Sequence, residues 1–205
     1  MKRETRQLIC KGIFAGLMIG IGCMVYLACP NKLVGAVLFS AGLYFILSNG
    51  GSLLTGLCGL KTPWLTLAKV LGFNTLGALI AGVLSWPSMK LAAPAAELVA
   101  NKLAANPLSW LTGGILCGML VHLAVTGYKR AKDTPHALAS VLYAIPAFIV
   151  AGFEHSIADL GYLAIALPAL AAADVLRMLG MIAVVIAGNI IGSKALRFCM
   201  EDAQK

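Results

Sequence analysis

The sequence predicts an all-α membrane protein whose six transmembrane helices form a 3+3 inverted repeat, with the second and fifth helices broken. Three observations lead to this prediction: an apolar composition, six long apolar segments, and short motifs that recur in the same order in both halves. Apolar residues make up 60% of the 205 residues and charged residues 12%, with a mean hydropathy of +0.90. A soluble domain is about 45–50% apolar. We therefore expect residues 1–205 to form one transmembrane domain in a lipid bilayer.

Six apolar segments are each long enough to cross the membrane, which takes about 20 residues. Polar residues interrupt the second segment at 48–56, and Glu154, His155 and Ser156 interrupt the fifth. We expect no cleavable signal peptide, because the first apolar run lasts about 19 residues and lacks a small-residue cleavage pattern. The six segments lie near 9–29, 33–58, 63–86, 107–128, 136–168 and 173–196.

Two motifs support the internal repeat. A GIxxG motif begins at Gly12 in the first segment and again at Gly114 in the fourth, 102 residues later. An NxxG motif begins at Asn74 in the third segment and at Asn189 in the sixth. Three segments per half require the halves to enter the membrane from opposite sides, so that their broken helices meet near the midplane. The halves are about 9–86 and 107–198.

Broken backbone inside a membrane is tolerated only where it is buried in protein or lines a cavity. Two facing breaks therefore predict a pore or binding chamber. In the first break, Gly50, Gly51 and Gly56 supply a permissive backbone, and Thr55 supplies a hydroxyl that can donate or accept a hydrogen bond.

The distribution of basic residues predicts the orientation. With both termini in the cytoplasm, twelve Lys and Arg residues lie inside and four outside, as the positive-inside rule requires. The net charge of +8 then reflects topology and implies no nucleic-acid partner. Inside are Lys2, Arg3, Arg6, Lys11, Lys61, Lys69, Lys129, Arg130, Lys132, Lys194, Arg197 and Lys205; outside are Lys32, Lys90, Lys102 and Arg177.

Ionisable side chains at mid-membrane depth predict a functional site. His155 is suited to proton exchange near neutral pH, although a histidine could also simply satisfy backbone groups at the break. On a helix, Glu154 would point about 100° away from His155. We therefore expect His155 in the lumen and Glu154 on backbone amides of the break or on a neighbouring subunit.

Lys102 allows two interpretations: a lysine that extends to the membrane interface, or a cation that attracts a small anion into the chamber. The six cysteines include no CxxC pair and no Cys/His cluster with metal-ligand spacing, so we predict no disulfide, no metal and no cofactor. We also find no nucleophile motif such as GxSxG, which argues against an intramembrane enzyme.

Several motifs together resemble the formate/nitrite transporter family. GFEHSIAD at 152–159 is similar to the family's FEHSxAN signature, AGNIIGS at 187–193 to its GNxxGG motif, and SLLTG at 52–56 to its [DE]LFT loop. The resemblance implies a homopentamer of aquaporin-like protomers in a bacterial or archaeal cytoplasmic (inner) membrane. It also implies a channel for small monovalent anions such as formate, nitrite or hydrosulfide.

The resemblance also implies roles for individual residues. His155 would be the central pore histidine, Thr55 its hydroxyl partner, Lys102 an electropositive helper and Glu154 the glutamate of the same motif. Asn74, Asn189 and Asp159 would support the site. The apolar constrictions would be formed by Phe39, Leu43, Leu53, Leu54 and Phe148.

The chain departs from the family pattern at four positions. Ser52 replaces an acidic residue, Leu54 a phenylalanine, Asp159 an asparagine and Gly118 another asparagine. The last change predicts that the chamber lacks one amide.

The predicted mechanism follows from the cost of burying charge. An anion would enter the chamber, take a proton through His155 or water bound to it, and cross the constrictions with that proton as the neutral acid. The alternatives are a neutral-solute or water pore of the same fold and a structural or sensory membrane protein.

Overall fold

The computed structural model describes residues 3–202, which form nine α-helices, two short 3-10 turns and no β-strand. This content confirms the predicted all-helical fold class. The predicted cytoplasmic residues Lys2 and Lys205 lie outside the described range. The helices are α1 (Arg3–Ala28), α2 (Lys32–Ser48), α3 (Leu54–Cys58), α4 (Trp64–Ser85), α5 (Ala92–Leu103), α6 (Pro107–Arg130), α7 (Thr134–Val150), α8 (Ser156–Ala166) and α9 (Ala172–Asp202).

Four helices of the described chain, α1, α4, α6 and α9, are long and apolar enough to cross a membrane. They coincide with the predicted first, third, fourth and sixth segments. The protein is thus a multi-pass membrane protein.

The second and fifth segments are broken, as predicted. The second consists of α2 and the single-turn α3, and the fifth of α7 and α8. Gly50 and Gly152 have positive φ angles of 66° and 71°, a conformation that glycine adopts without steric cost. Each break therefore turns the chain at a glycine before the second half-helix begins.

The side chain of Asn189 holds the break between α7 and α8. Its Nδ2 donates to the carbonyl oxygens of Gly114 and Glu154, each at 2.8 Å, and its Oδ1 accepts from the Ser156 backbone N–H at 3.0 Å. The residue is fully buried. Asn189 thus satisfies backbone groups that lipid could not.

Asn74 makes the corresponding bonds at the break between α2 and α3. Its Nδ2 donates to the carbonyl oxygens of Gly12 and Ser52 at 2.9 and 2.8 Å, and its Oδ1 accepts from the Leu54 N–H at 2.8 Å. The three partners of Asn189 lie 102 positions after these in the chain. This correspondence supports the predicted repeat, while the opposite membrane orientation of the halves stays a prediction.

Two helix pairs, α1 with α4 and α6 with α9, pack so closely that glycine is required at their contacts. A Cβ on any of four glycines would overlap a backbone oxygen of the partner helix. The glycines and the residues whose oxygens they contact are Gly16 with Asn74, Gly77 with Ile13, Gly118 with Asn189, and Gly192 with Ile115. The same two motif positions thus make the same contacts in both halves.

The helix α5 was not predicted; it lies between the third and fourth apolar segments. Four residues at helical spacing are buried: Ala92, Ala95, Val99 and Leu103. They pack mainly against α8. Their i, i+3, i+4 pattern could have indicated the helix. The element matters because it carries Lys102.

Replacing Gly192 with alanine is expected to destabilise the protein, because the new methyl group would force α9 away from the Ile115 carbonyl oxygen. Overpacking of this kind costs about 1–3 kcal/mol. The measurement is the thermal midpoint of the purified protein in detergent. Gly180→Ala, on the same helix with nothing within 4 Å of the added Cβ, is the matched control. Equal midpoints for both variants would contradict the packing account.

Replacing Asn189 with alanine is expected to lower the thermal midpoint further, because two carbonyl oxygens and one backbone N–H lose a buried partner. Each orphaned group costs about 1–3 kcal/mol. The exposed Asn49, whose side-chain amide also donates to a backbone oxygen, provides the control: Asn49→Ala should change little because water can replace its bond. An unaltered midpoint in Asn189→Ala would refute the role assigned to this amide.

Candidate functional site

His155 lies at the N-terminus of α8, where its ring caps the helix. Its Nδ1 accepts a hydrogen bond from the Ala158 backbone N–H at 3.0 Å. Since a backbone N–H only donates, Nδ1 carries a lone pair, and the proton of the neutral ring is on Nε2. Helix capping thus fixes the tautomer of this histidine.

The Nε2 atom of His155 is 2.9 Å from Thr55 Oγ1. With the proton on Nε2, the ring donates to the Thr55 hydroxyl oxygen, which leaves the hydroxyl hydrogen free to donate elsewhere. The Phe148 ring stacks on the imidazole with centroids 5.7 Å apart. Both halves of the chain therefore contribute to this buried pair.

A cavity of about 340 Å³ adjoins His155, and we call it the Lys102 vestibule. A smaller cavity of about 170 Å³, the Lys129 vestibule, is lined by α2, the first break, α3 and the end of α6. Lys102 lies just before α6 begins and Lys129 just before it ends, and the 24 residues of α6 span about 36 Å. The cavities therefore belong to opposite ends of the bundle.

The predicted constriction residues divide between the two cavities. Phe39 and Phe148 line the Lys102 vestibule, and Leu43 and Leu53 line the Lys129 vestibule. Phe39 and Leu43 are one turn apart on α2, so the two cavities follow each other along that helix. Leu54 lines neither cavity; its side chain is buried and its backbone N–H is bound by Asn74.

Lys102 forms ion pairs with two carboxylates in its vestibule. Its Nζ binds Glu154 Oε2 and is 3.0 Å from Asp159 Oδ1. The Lys102 side chain is only 14% exposed. The interpretation of Lys102 as an interfacial lysine is therefore wrong, and the ammonium group belongs to the chamber.

The expected separation of Glu154 from His155 is also wrong. Both residues line the Lys102 vestibule, because residues 153–155 lie outside the helices and the 100° helical offset does not apply. The Glu154 carboxylate binds Lys102, and the bonds that hold the break at this point are made by the Glu154 backbone carbonyl. The helical offset expected from the sequence therefore does not hold at this break.

Contrary to the prediction, glycine at position 118 does not leave the chamber without an amide. It packs against the backbone of Asn189 and lines neither vestibule. A side chain here would separate α6 from α9. The departure at Gly118 thus concerns helix packing.

Sequence reasoning missed Tyr26 and Tyr162, which both line the Lys102 vestibule and whose rings meet edge to face at 6.2 Å. Tyr162 follows His155 by seven residues, which is two turns of α8 and therefore the same face. That spacing was the available signal. Nothing comparable in the sequence pointed to Tyr26.

Solved structures similar to this chain have the same fold. One, titled "Pentameric formate channel with formate bound", superposes with a TM-score of 0.85 at 21% identity, covering 100% of this chain and 98% of that one. Another, titled "FNT family ion channel", gives a TM-score of 0.82 at 20% identity, covering 97% of this chain and 88% of that one. None of the curated proteins matches the chain in sequence.

The family model described as formate/nitrite transporter matches residues 1–200, which is nearly the whole chain. This agrees with the prediction of a transport protein over an intramembrane enzyme. The chain belongs to the formate/nitrite transporter family.

Proposed function

We propose that this protein is a channel for the small monovalent anions of weak acids, formate, nitrite or hydrosulfide, each of which crosses together with one proton. The observation that carries the proposal is the buried Thr55–His155 pair. It joins α3, which lines the Lys129 vestibule, to the break before α8, which lines the Lys102 vestibule. Residues 1–205 would form one channel domain per protomer in a bacterial or archaeal inner membrane, with both termini in the cytoplasm.

The apolar side chains around the pair explain why a proton is needed. Phe39, Leu43, Leu53 and Phe148 are at most 3% exposed and offer no hydrogen bond to an ion. Transferring a bare carboxylate into such surroundings costs several kcal/mol or more, even after relaxation. The uncharged acid avoids most of this cost, so passage as the neutral species is favoured.

The capped ring limits how His155 can take part. For His155 to release a proton it would first need protons on both nitrogens, but Nδ1 is occupied by the Ala158 N–H. Water is therefore the better proton source: the anion takes one proton from water and leaves hydroxide, which bulk solvent neutralises. The His155 ring donates its Nε2 proton to the Thr55 oxygen, and the Thr55 hydroxyl hydrogen is then free to donate to the substrate.

The pentamer and the substrate class come from comparison. The structure titled "Pentameric formate channel with formate bound" covers the whole chain, which supports a homopentamer with formate among the substrates. The same arrangement would leave one pore in each protomer.

Replacing His155 with alanine is expected to reduce formate, nitrite and hydrosulfide uptake into proteoliposomes at least tenfold, because the Thr55 hydroxyl loses the partner that orients its hydrogen toward the substrate. The control is His136→Ala, which removes an exposed histidine outside both vestibules and should leave uptake unchanged. Full uptake by His155→Ala across pH 5.5–7.5 would overturn the assigned role. Osmotic swelling with glycerol but no anion-dependent flux in the unmodified protein would instead indicate a neutral-solute pore.

Replacing Thr55 with valine keeps the shape of the side chain and removes the hydroxyl, so Nε2 of His155 loses its buried partner. We expect uptake to fall about tenfold, whereas Thr55→Ser, which keeps the hydroxyl, should retain most of the activity. Thermal midpoints of both variants separate a folding defect from a transport defect. Equal uptake by the valine and serine variants would contradict the role of the hydroxyl.

A further inference from the structure

The charges of the Lys102 vestibule do not favour an anion. Lys102 is the single Lys or Arg among the described residues that line this cavity, and it faces two carboxylates, Glu154 and Asp159. The side chains of these carboxylates are only 11% and 1% exposed. The formal charge is therefore −1 with both carboxylates ionised and zero if they share one proton. In neither state is the vestibule positive.

The other groups around Asp159 add no positive charge. On α1, Tyr26 lines the cavity, and Cys23 donates from Sγ to the Ala158 carbonyl oxygen at 3.5 Å. On α6, Cys117 is buried near both carboxylates. Asp159 shares α8 with Tyr162, while His155, which caps that helix, is held as the Nε2–H tautomer. Phenol, thiol and neutral imidazole groups carry no charge, so Lys102, Glu154 and Asp159 alone set the net charge of the vestibule.

The hydrogen-bonding groups of Asp159 also favour one kind of ligand. Its Oδ1 is in ion-pair contact with Lys102 without hydrogen-bond alignment, and Oδ2 is buried with no hydrogen-bond partner in the described part of the chain. A carboxylate only accepts hydrogen bonds, and an unsatisfied buried acceptor is costly. A ligand with an O–H or S–H donor would satisfy it, whereas an anion that only accepts would not.

We propose that Asp159 makes the Lys102 vestibule a binding site for the uncharged, hydrogen-donating form of the permeant acid and not for its anion. This inference rests on the proposed function and adds where the proton joins: the substrate takes it from water on reaching Asp159, before it meets His155. The Asp159 carboxylate then accepts the hydrogen bond from the newly formed acid.

Asp159 stands where the resemblance implies an asparagine, and the change decides the ligand. An amide would leave Lys102 balanced by Glu154 alone and would offer two N–H donors. Such a vestibule would suit an anion. Asp159→Asn should therefore change which protonation state the vestibule binds while keeping the size of the side chain.

The test measures formate influx into proteoliposomes at a fixed total formate concentration and external pH values of 5.5, 6.5 and 7.5, after subtracting protein-free liposomes. Nitrate, which stays an anion at these pH values, is added as a competitor. In the unmodified protein, influx should fall about tenfold per pH unit, because the concentration of the uncharged acid falls by that factor. Excess nitrate should not inhibit it. In Asp159→Asn, the decrease in influx per pH unit should be at least threefold smaller than in the unmodified protein, and nitrate should inhibit uptake.

Asp174→Asn is the control, because it removes a partly exposed carboxylate that lies outside the Lys102 vestibule and should leave the pH slope unchanged. The inference is overturned if Asp159→Asn keeps the slope and nitrate insensitivity of the unmodified protein. Inhibition of the unmodified protein by nitrate overturns it as well, even if the Asp159 variant fails to fold. Absence of protein-dependent uptake, or full activity of His155→Ala, would instead refute the proposed function.

Discussion

The structure depends on two buried asparagine side chains that satisfy the backbone where two membrane helices are interrupted. Lipid offers no hydrogen bonds, so a broken span must find its partners inside the protein. Asn74 and Asn189 each bind two carbonyl oxygens and one N–H. Without them the two breaks would lose buried hydrogen bonds that hold the segments carrying Thr55 and His155.

The position of His155 and its chemistry have the same origin. Because the chain turns at Gly152 and restarts a helix at Ser156, His155 becomes a helix cap and its Nδ1 is used by the backbone. The remaining nitrogen can only point its proton at Thr55. A histidine held this way acts as a fixed hydrogen-bond donor, and this is why water is the better source of the transported proton.

Hydropathy and motif spacing predicted the features that depend on residues close together in the sequence. The six apolar segments, both interruptions and the two NxxG asparagines follow from composition and repetition along the chain. Hydropathy did not indicate the helix α5, because its 12 residues are too few to cross a membrane and only its apolar stripe at helical spacing marks it. The predicted separation of Glu154 from His155 was wrong because the 100° offset holds only within a helix, and residues 153–155 are not helical.

The ion pairs of Lys102 were beyond the reach of sequence reasoning. Lys102 is 52 residues from Glu154 along the chain, and only the packing of α5 on α8 brings their elements together. The sequence left open whether Lys102 extends to the membrane interface or makes the chamber electropositive, and its two carboxylate neighbours cancel its charge. The substitution at Asp159 was visible in the sequence, but its meaning required knowing which cation it faces.

The central claim is that the substrate crosses the apolar constrictions without net charge. The most direct measurement is formate influx into proteoliposomes with a lumenal pH dye while a potassium gradient and valinomycin set the membrane potential. The account predicts that influx is independent of the potential and that the lumen acidifies by one proton per formate. Influx that follows the potential without acidification would show that the bare anion passes, and would contradict the account.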